Sequence, residues 1–118
     1  MGCFALDAVS VRSITAPTVE LIANNGFETG DLSSWTYCNP QSATSAGEVI
    51  KNSDNFQCMG YTYQAKIGSH FYYDGAVGNA DYLIQTFPTI IGATYTISYW
   101  LYNQGSGSAS SADVIISI

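Results

Sequence analysis

Apolar and polar residues alternate with a period near two along most of the chain, the spacing of strands that bury one face. The clearest run is ATYTISYWLYN, where Tyr95, Ile97, Tyr99 and Leu101 fall on one side. Thr94, Thr96, Ser98, Trp100 and Tyr102 fall on the other. FALDAVSV near the start also alternates, setting Val9 and Val11 against Ala8 and Ser10. Shorter strands are predicted at 19–22, in EVIKN, at 61–67, in HFYYD, in YLIQTFPTI and in the closing ADVIISI. Pro88 restricts its strand to a sheet edge or a bulge, because it cannot donate to a ladder. NNG and TGD mark tight turns, since Asn and Gly tolerate positive φ. Residues 39–47 read as a loop, and QGSGSASS as a flexible one. No 3.6-residue period persists for a whole helix. The pattern predicts an all-β fold, an antiparallel β-sandwich. Its expected core is Val19, Ile22, Phe27, Trp35, Leu83, Phe87, Ile97, Tyr99, Leu101, Val114 and Ile116.

Composition narrows the class. With 118 residues the chain holds one domain, and its 47% hydrophobic, 10% charged make-up, with nine tyrosines, is not that of a disordered segment. The net charge is −6 and the basic residues are Arg12, Lys51 and Lys66, so neither a nucleic acid nor an anionic membrane surface is an expected partner. No apolar run approaches the roughly 20 residues of a spanning helix, so membrane insertion is not expected. MGCFAL lacks the Ser or Thr that a myristoylation start needs at its sixth position, where Leu6 stands. No signal peptide is recognisable, and Met1 reads as a start placed on an excised piece. The three cysteines fit no zinc spacing. The expected disulfide is Cys38–Cys58, which implies an oxidising compartment and leaves Cys3 for a partner elsewhere.

Three stretches then point to a family. NNGFETGDLSSWT carries Asn-Gly, Phe-Glu, Gly-Asp and Trp in order. DYLIQTFPTIIGATYTISYWLYN carries a Gln-Thr-Phe strand, a Gly turn and a Tyr-Thr-Ile-Ser strand. FALDAVSV is similar to a Leu-Asp-Asp-Val-Ser-Val strand. Together they cover about two-thirds of the chain and resemble carbohydrate-binding-like jelly-roll modules with a galactose-binding-domain-like fold. In such modules the Asp-Asp-Val-Ser-Val strand comes last, whereas here it comes first. Residues 1–13 are therefore expected to be the last strand of a preceding or neighbouring module, and 19–118 the sandwich, incomplete at its C-terminus. Either the chain is a slice of a tandem array, or it lends this strand to a neighbour.

The resemblance also implies a structural calcium held by Glu28 and Asp7, with Asp31 in reserve. Ala8 stands where the family has a second Asp, which removes one hard ligand. The alternative is that Glu28 and Asp31 only accept hydrogen bonds in a turn. An aromatic sugar platform is expected at Trp100 and Tyr102, with Tyr72 and Tyr73 as its rim, because aromatic rings stack on pyranose faces. Packing inside the domain is the competing role for each of these rings. The local sequence offers no paired carboxylates, no nucleophile elbow and no phosphate loop, and His70 is the one histidine. The expectation is thus an extracellular, non-catalytic module that binds carbohydrate. The alternative is a structural module that assembles with copies of itself by donating its N-terminal strand.

Overall fold

A computed structural model describes residues 3–103 and 111–118. The chain is all-β, with eight strands and one 3₁₀ turn at Asn52–Asp54 among the described residues. The strands are β1 (Phe4–Ser13), β2 (Thr36–Cys38), β3 (Glu48–Lys51), β4 (Gln57–Cys58), β5 (Tyr61–Thr62), β6 (His70–Asp74), β7 (Tyr82–Ile84) and β8 (Tyr95–Asn103). A four-stranded antiparallel sheet has the order β3-β6-β1-β8; β2 pairs with β7, and β4 with β5.

The N-terminal strand lies inside this sheet. Phe4, Ala5 and Leu6 pair with Asp74, Tyr73 and Tyr72 on one side and with Asn103, Tyr102 and Leu101 on the other. The second half of β1 pairs with β8 alone, and its other edge is closed by the segment after Pro17. There Leu21 donates its N–H to Val11 O, while the Glu20 carboxylate accepts from the N–H groups of Val11 and Ile22 and pairs with Arg12 at 3.3 Å. The strand expected at 19–22 does not form, because a side-chain carboxylate replaces the ladder acceptors that a strand would supply.

β1 also carries a bulge. Between Asp7 and Ser10 it advances three residues while β8 advances two, and Ala8 sits at φ 51°. One extra residue exchanges the faces. Ala5 and Asp7 are buried on one side of the sheet and Val11 on the other, opposite Ile97. Simple alternation would have kept Val11 with Asp7.

Two cores result. On one face Cys3, Ala5, Ile50, Cys58, Tyr63 and Phe71 pack together, with Phe56, Ala65 and Tyr73 against them. On the other, Phe27 is stacked between Trp35 and Tyr72, with ring centroids 5.4 and 5.8 Å away. Trp35 fixes this stack by donating its indole N–H to Asn24 O at 3.0 Å. Phe27 holds φ 59°, a left-handed conformation that a bulky residue adopts only when its surroundings impose it.

Of the expected core, Ile22 and Phe27 are buried, and Trp35, Leu83 and Phe87 are half-buried. Val19, Ile97, Tyr99, Leu101, Val114 and Ile116 are exposed. Ile97, Tyr99 and Leu101 are exposed because β8 is an outer strand, and Val114 and Ile116 because ADVIISI forms no strand. The strands expected at 61–67 and in YLIQTFPTI shorten to β5 and β7, the latter ending well before Pro88. The expected loop QGSGSASS lies, apart from Ser111, outside the described residues.

The disulfide expectation is corrected. Cys58 is bonded to Cys3, with Cα atoms 6.5 Å apart, and Cys38 is a free, exposed cysteine. Cys38 lies opposite Tyr82 in the small β2-β7 sheet, whereas the head of β1 meets the β4-β5 hairpin. Closing a loop with a sequence separation of 55 contributes about 4 kcal/mol in the chain-entropy account. Replacing Cys3 or Cys58 by Ala is expected to lower stability by about 2–5 kcal/mol, while Cys38→Ser leaves the melting temperature unchanged. Thermal melts of the three variants by circular dichroism check this, and equal losses at Cys38 and Cys58 would contradict the Cys3–Cys58 link.

Candidate functional site

The expected aromatic residues separate into different environments. Trp100 and Tyr102 are two residues apart on β8 and lie opposite Asp7 and Ala5 of β1, so their side chains share a face. They are 53% and 44% exposed. Lys66 Nζ stands 3.9 Å from the Trp100 ring centroid, a cation–π contact. Tyr102 meets the buried Tyr63 edge-on at 4.9 Å. Tyr73 shares that face but is half-buried against Phe56 at 4.5 Å. Tyr72 points to the opposite face and is 4% exposed, in the Phe27 stack. Of the four rings Trp100 and Tyr102 are therefore the exposed pair, contacted by Lys66 and Tyr63, and Tyr72 is a core residue.

The bulge positions that loop. Asp7, 3% exposed, accepts from Ala8 N–H at 2.7 Å through Oδ1 and from Ile67 N–H at 3.0 Å through Oδ2. Burial pushes its carboxyl above the usual carboxylate range, although these backbone donors oppose the shift. Because Ile67 is tied to Asp7, the neighbouring Lys66 is delivered to Trp100.

Asp7 and Glu28 line one open pocket of about 480 Å³ with Asn24, Asn25, Gly26 and Ile67. Glu28 is heavily engaged. Its Oε1 accepts from Ser69 N–H at 2.9 Å and His70 N–H at 3.1 Å. Its Oε2 lies 3.2 Å from Ser69 Oγ and 2.9 Å from His70 Nδ1. Partial desolvation raises the Glu28 pKa, but these hydrogen bonds, the His70 side chain first, outweigh it and hold the carboxyl below its ordinary value. A Cβ at Gly68, whose φ is +72°, would run into the Glu28 carboxylate, so glycine is required there twice over. Asp31 is not part of this pocket. Its Oδ1 accepts from Thr29 Oγ1 at 2.7 Å and Ser33 N–H at 3.0 Å within its own turn.

Calcium takes six to eight oxygens, yet Glu28 is filled by four donors. Asn24 O accepts from Phe27 N–H and the Trp35 indole, and Asn25 O from Val9 N–H. Among the described residues no group of three or more His, Cys, Asp or Glu is placed to hold a metal. As arranged, Glu28 clasps the 68–70 loop. A melting temperature unmoved by EDTA is the expected outcome, and a rise on adding calcium would show that the carboxylates rearrange around an ion.

Alternation along the chain does not disclose a third cluster. Asp74, at the end of β6, faces the carboxyl of Asp81, just ahead of β7. Tyr37 of β2 donates to Asp81 Oδ2 at 2.6 Å, and Gly47 N–H reaches the same oxygen at 3.3 Å. The cluster ties the small β2-β7 sheet to the large one. Burial, then the bond to Asp81, raises the Asp74 carboxyl to about 6. Burial, then the bond to Asp81, raises the Tyr37 phenol to about 12. The only sequence signal was an acid following the aromatic run HFYY.

No family model matches the chain, and no match is found among curated proteins or among solved structures.

Asp74 has a raised folded pKa, so its contribution to stability is complete below the ordinary carboxyl value of 3.8 and is lost as pH rises through about 6. Asp81→Asn puts a permanent amide donor against Asp74 and leaves an oxygen for Tyr37. The variant is expected to gain on the wild type as pH rises from 5 to 7. Melting curves across that range check it, and parallel curves would refute proton sharing.

Proposed function

We propose that this chain is a non-catalytic, extracellular carbohydrate-binding-like module on a jelly-roll-type β scaffold. The observation that carries the proposal is the exposed Trp100–Tyr102 pair on one face of β8, with the Lys66 ammonium over the Trp100 ring. Aromatic faces supply the C–H stacking surface a pyranose needs, and an adjacent ammonium supplies a hydroxyl donor. The pair stands on a sheet strand, so little freedom is lost on binding. The Cys3–Cys58 disulfide is compatible with an extracellular location. Donation of the N-terminal strand is not carried forward, because β1 is paired on both edges within its own chain.

Affinity electrophoresis against a panel of soluble polysaccharides tests the proposal. Wild-type chain is expected to be retarded by at least one of them. Trp100→Ala is expected to abolish retardation, and Tyr102→Ala to weaken it about tenfold, equivalent to about 1.4 kcal/mol, both with unchanged far-ultraviolet spectra. Absence of retardation for the wild type across the panel would remove the proposal.

A further inference from the structure

The two outer strands of the large sheet are finished differently. β3 has four residues, begins with Glu48 and ends with Lys51. Short length and charge are the ordinary means by which a sheet edge avoids recruiting another strand. β8 has nine residues, YTISYWLYN, with no charge, no proline and no glycine. Among the described residues its outer edge has no partner strand.

The polar groups on that edge can be placed. Ile14 donates its N–H to Thr94 O, which makes this opposed couple a hydrogen-bonded pair. In an antiparallel ladder such pairs alternate with ones whose N–H and C=O groups turn away. Val11 is of the second kind, since its N–H goes to Glu20 and its C=O to Leu21, away from β8. Its partner Ile97 therefore turns its own N–H and C=O to the open edge, as do Tyr95 and Tyr99 by the same alternation.

The chain also contains a β-branched, apolar segment that forms no strand. Residues 111–118 are all exposed and form no secondary structure. Val114, Ile115, Ile116 and Ile118 lie among them, and Ile116 is 69% exposed. Asp113 is the one charge in this segment, and β8 has none, so no like-charge repulsion opposes pairing. Among the described residues this segment makes no strand pairing with β8.

We propose that residues 113–118 of one copy add as a strand to the open β8 edge of a second copy, reciprocally, so that the chain associates with itself by C-terminal strand exchange. Main-chain bonds to Tyr95, Ile97 and Tyr99 supply the register-independent part of the affinity, and the Val114 and Ile116 side chains lie against the exposed β8 side chains. The inference does not depend on carbohydrate binding. It uses the strand's edge, whereas sugar binding uses one of its faces.

Sedimentation velocity from micromolar to millimolar concentration, in a Cys38→Ser background that excludes a disulfide dimer, tests it. Concentration-dependent association is expected. Deleting residues 111–118, Ile116→Asp, and Ile97→Pro should each leave a monomer with the wild-type melting profile. Ile97→Pro removes an N–H that β1 does not use, and proline is tolerated at such edge positions. A wild type that stays monomeric throughout would overturn the proposal, as would an oligomer that survives both the deletion and Ile97→Pro. Should the monomer protect the amides of 113–118 from hydrogen exchange, the segment would be on its own chain's edge, which also overturns exchange between copies. Polysaccharide retardation of the deletion variant fails only if the carbohydrate proposal fails.

Discussion

Phe4–Ser13 is hydrogen-bonded along both of its long edges, and the positions of the remaining functional groups follow from that. An interior strand has no slack: its register is set from both sides, so the extra residue at the bulge must be absorbed locally, with Ala8 in a left-handed conformation. The amide of Ala8 is taken by the Asp7 carboxylate. The other oxygen of that carboxylate captures Ile67 and thereby draws the loop across the face of β8. Lys66 reaches Trp100 because of a bulge in a different strand. Cys3, one residue before β1, then ties the head of the strand to the β4-β5 hairpin and closes the core around Tyr63.

What was legible in the sequence is what a period of two can encode. The alternation located β8 and β1, the aromatic run located β6, and the Phe-Glu motif placed Phe27 in a core. The bulge was not legible, because one residue in the left-handed region reverses every later face without altering the alternation. Cysteine pairing was not legible either. Cys38 and Cys58 are closer in sequence, but Cys3 meets Cys58 only after β1 enters the sheet, a contact between residues far apart in the chain. The segment 19–22 looked like a strand by composition. Glu20 pre-empted it by offering a carboxylate where a ladder needs backbone carbonyls. Of the platform, Trp100 and Tyr102 were visible from their shared parity, whereas Tyr72 and Tyr73 are adjacent residues on a strand and necessarily face opposite sides.

The carboxylates illustrate how environment sets role. Glu28, exposed but surrounded by four donors, is held ionised and clasps a loop. Asp74, half-buried and facing another acid, is pushed towards the protonated form and bonds two sheets together. Glu28 and Asp74 thus each tie segments of the scaffold together. The exposed polar and aromatic chemistry is concentrated on β8 and the loop that crosses it.

Concentrating two roles on β8 is physically consistent. Side chains stand perpendicular to a sheet, while the hydrogen-bonding groups of an edge lie in its plane. A strand docked on the edge would occupy the in-plane direction and would not itself cover Trp100 and Tyr102. It would also widen the sheet beside Trp100 by one strand spacing, about 4.8 Å, and so lengthen the surface along which a chain of sugar rings could lie. Exchange between two copies would present two such faces on one particle, and paired sites gain avidity whenever a polymeric ligand spans both. An edge without charge or proline is an aggregation hazard in a monomer. In a paired module the same edge would be what joins two copies of the Trp100–Tyr102 face.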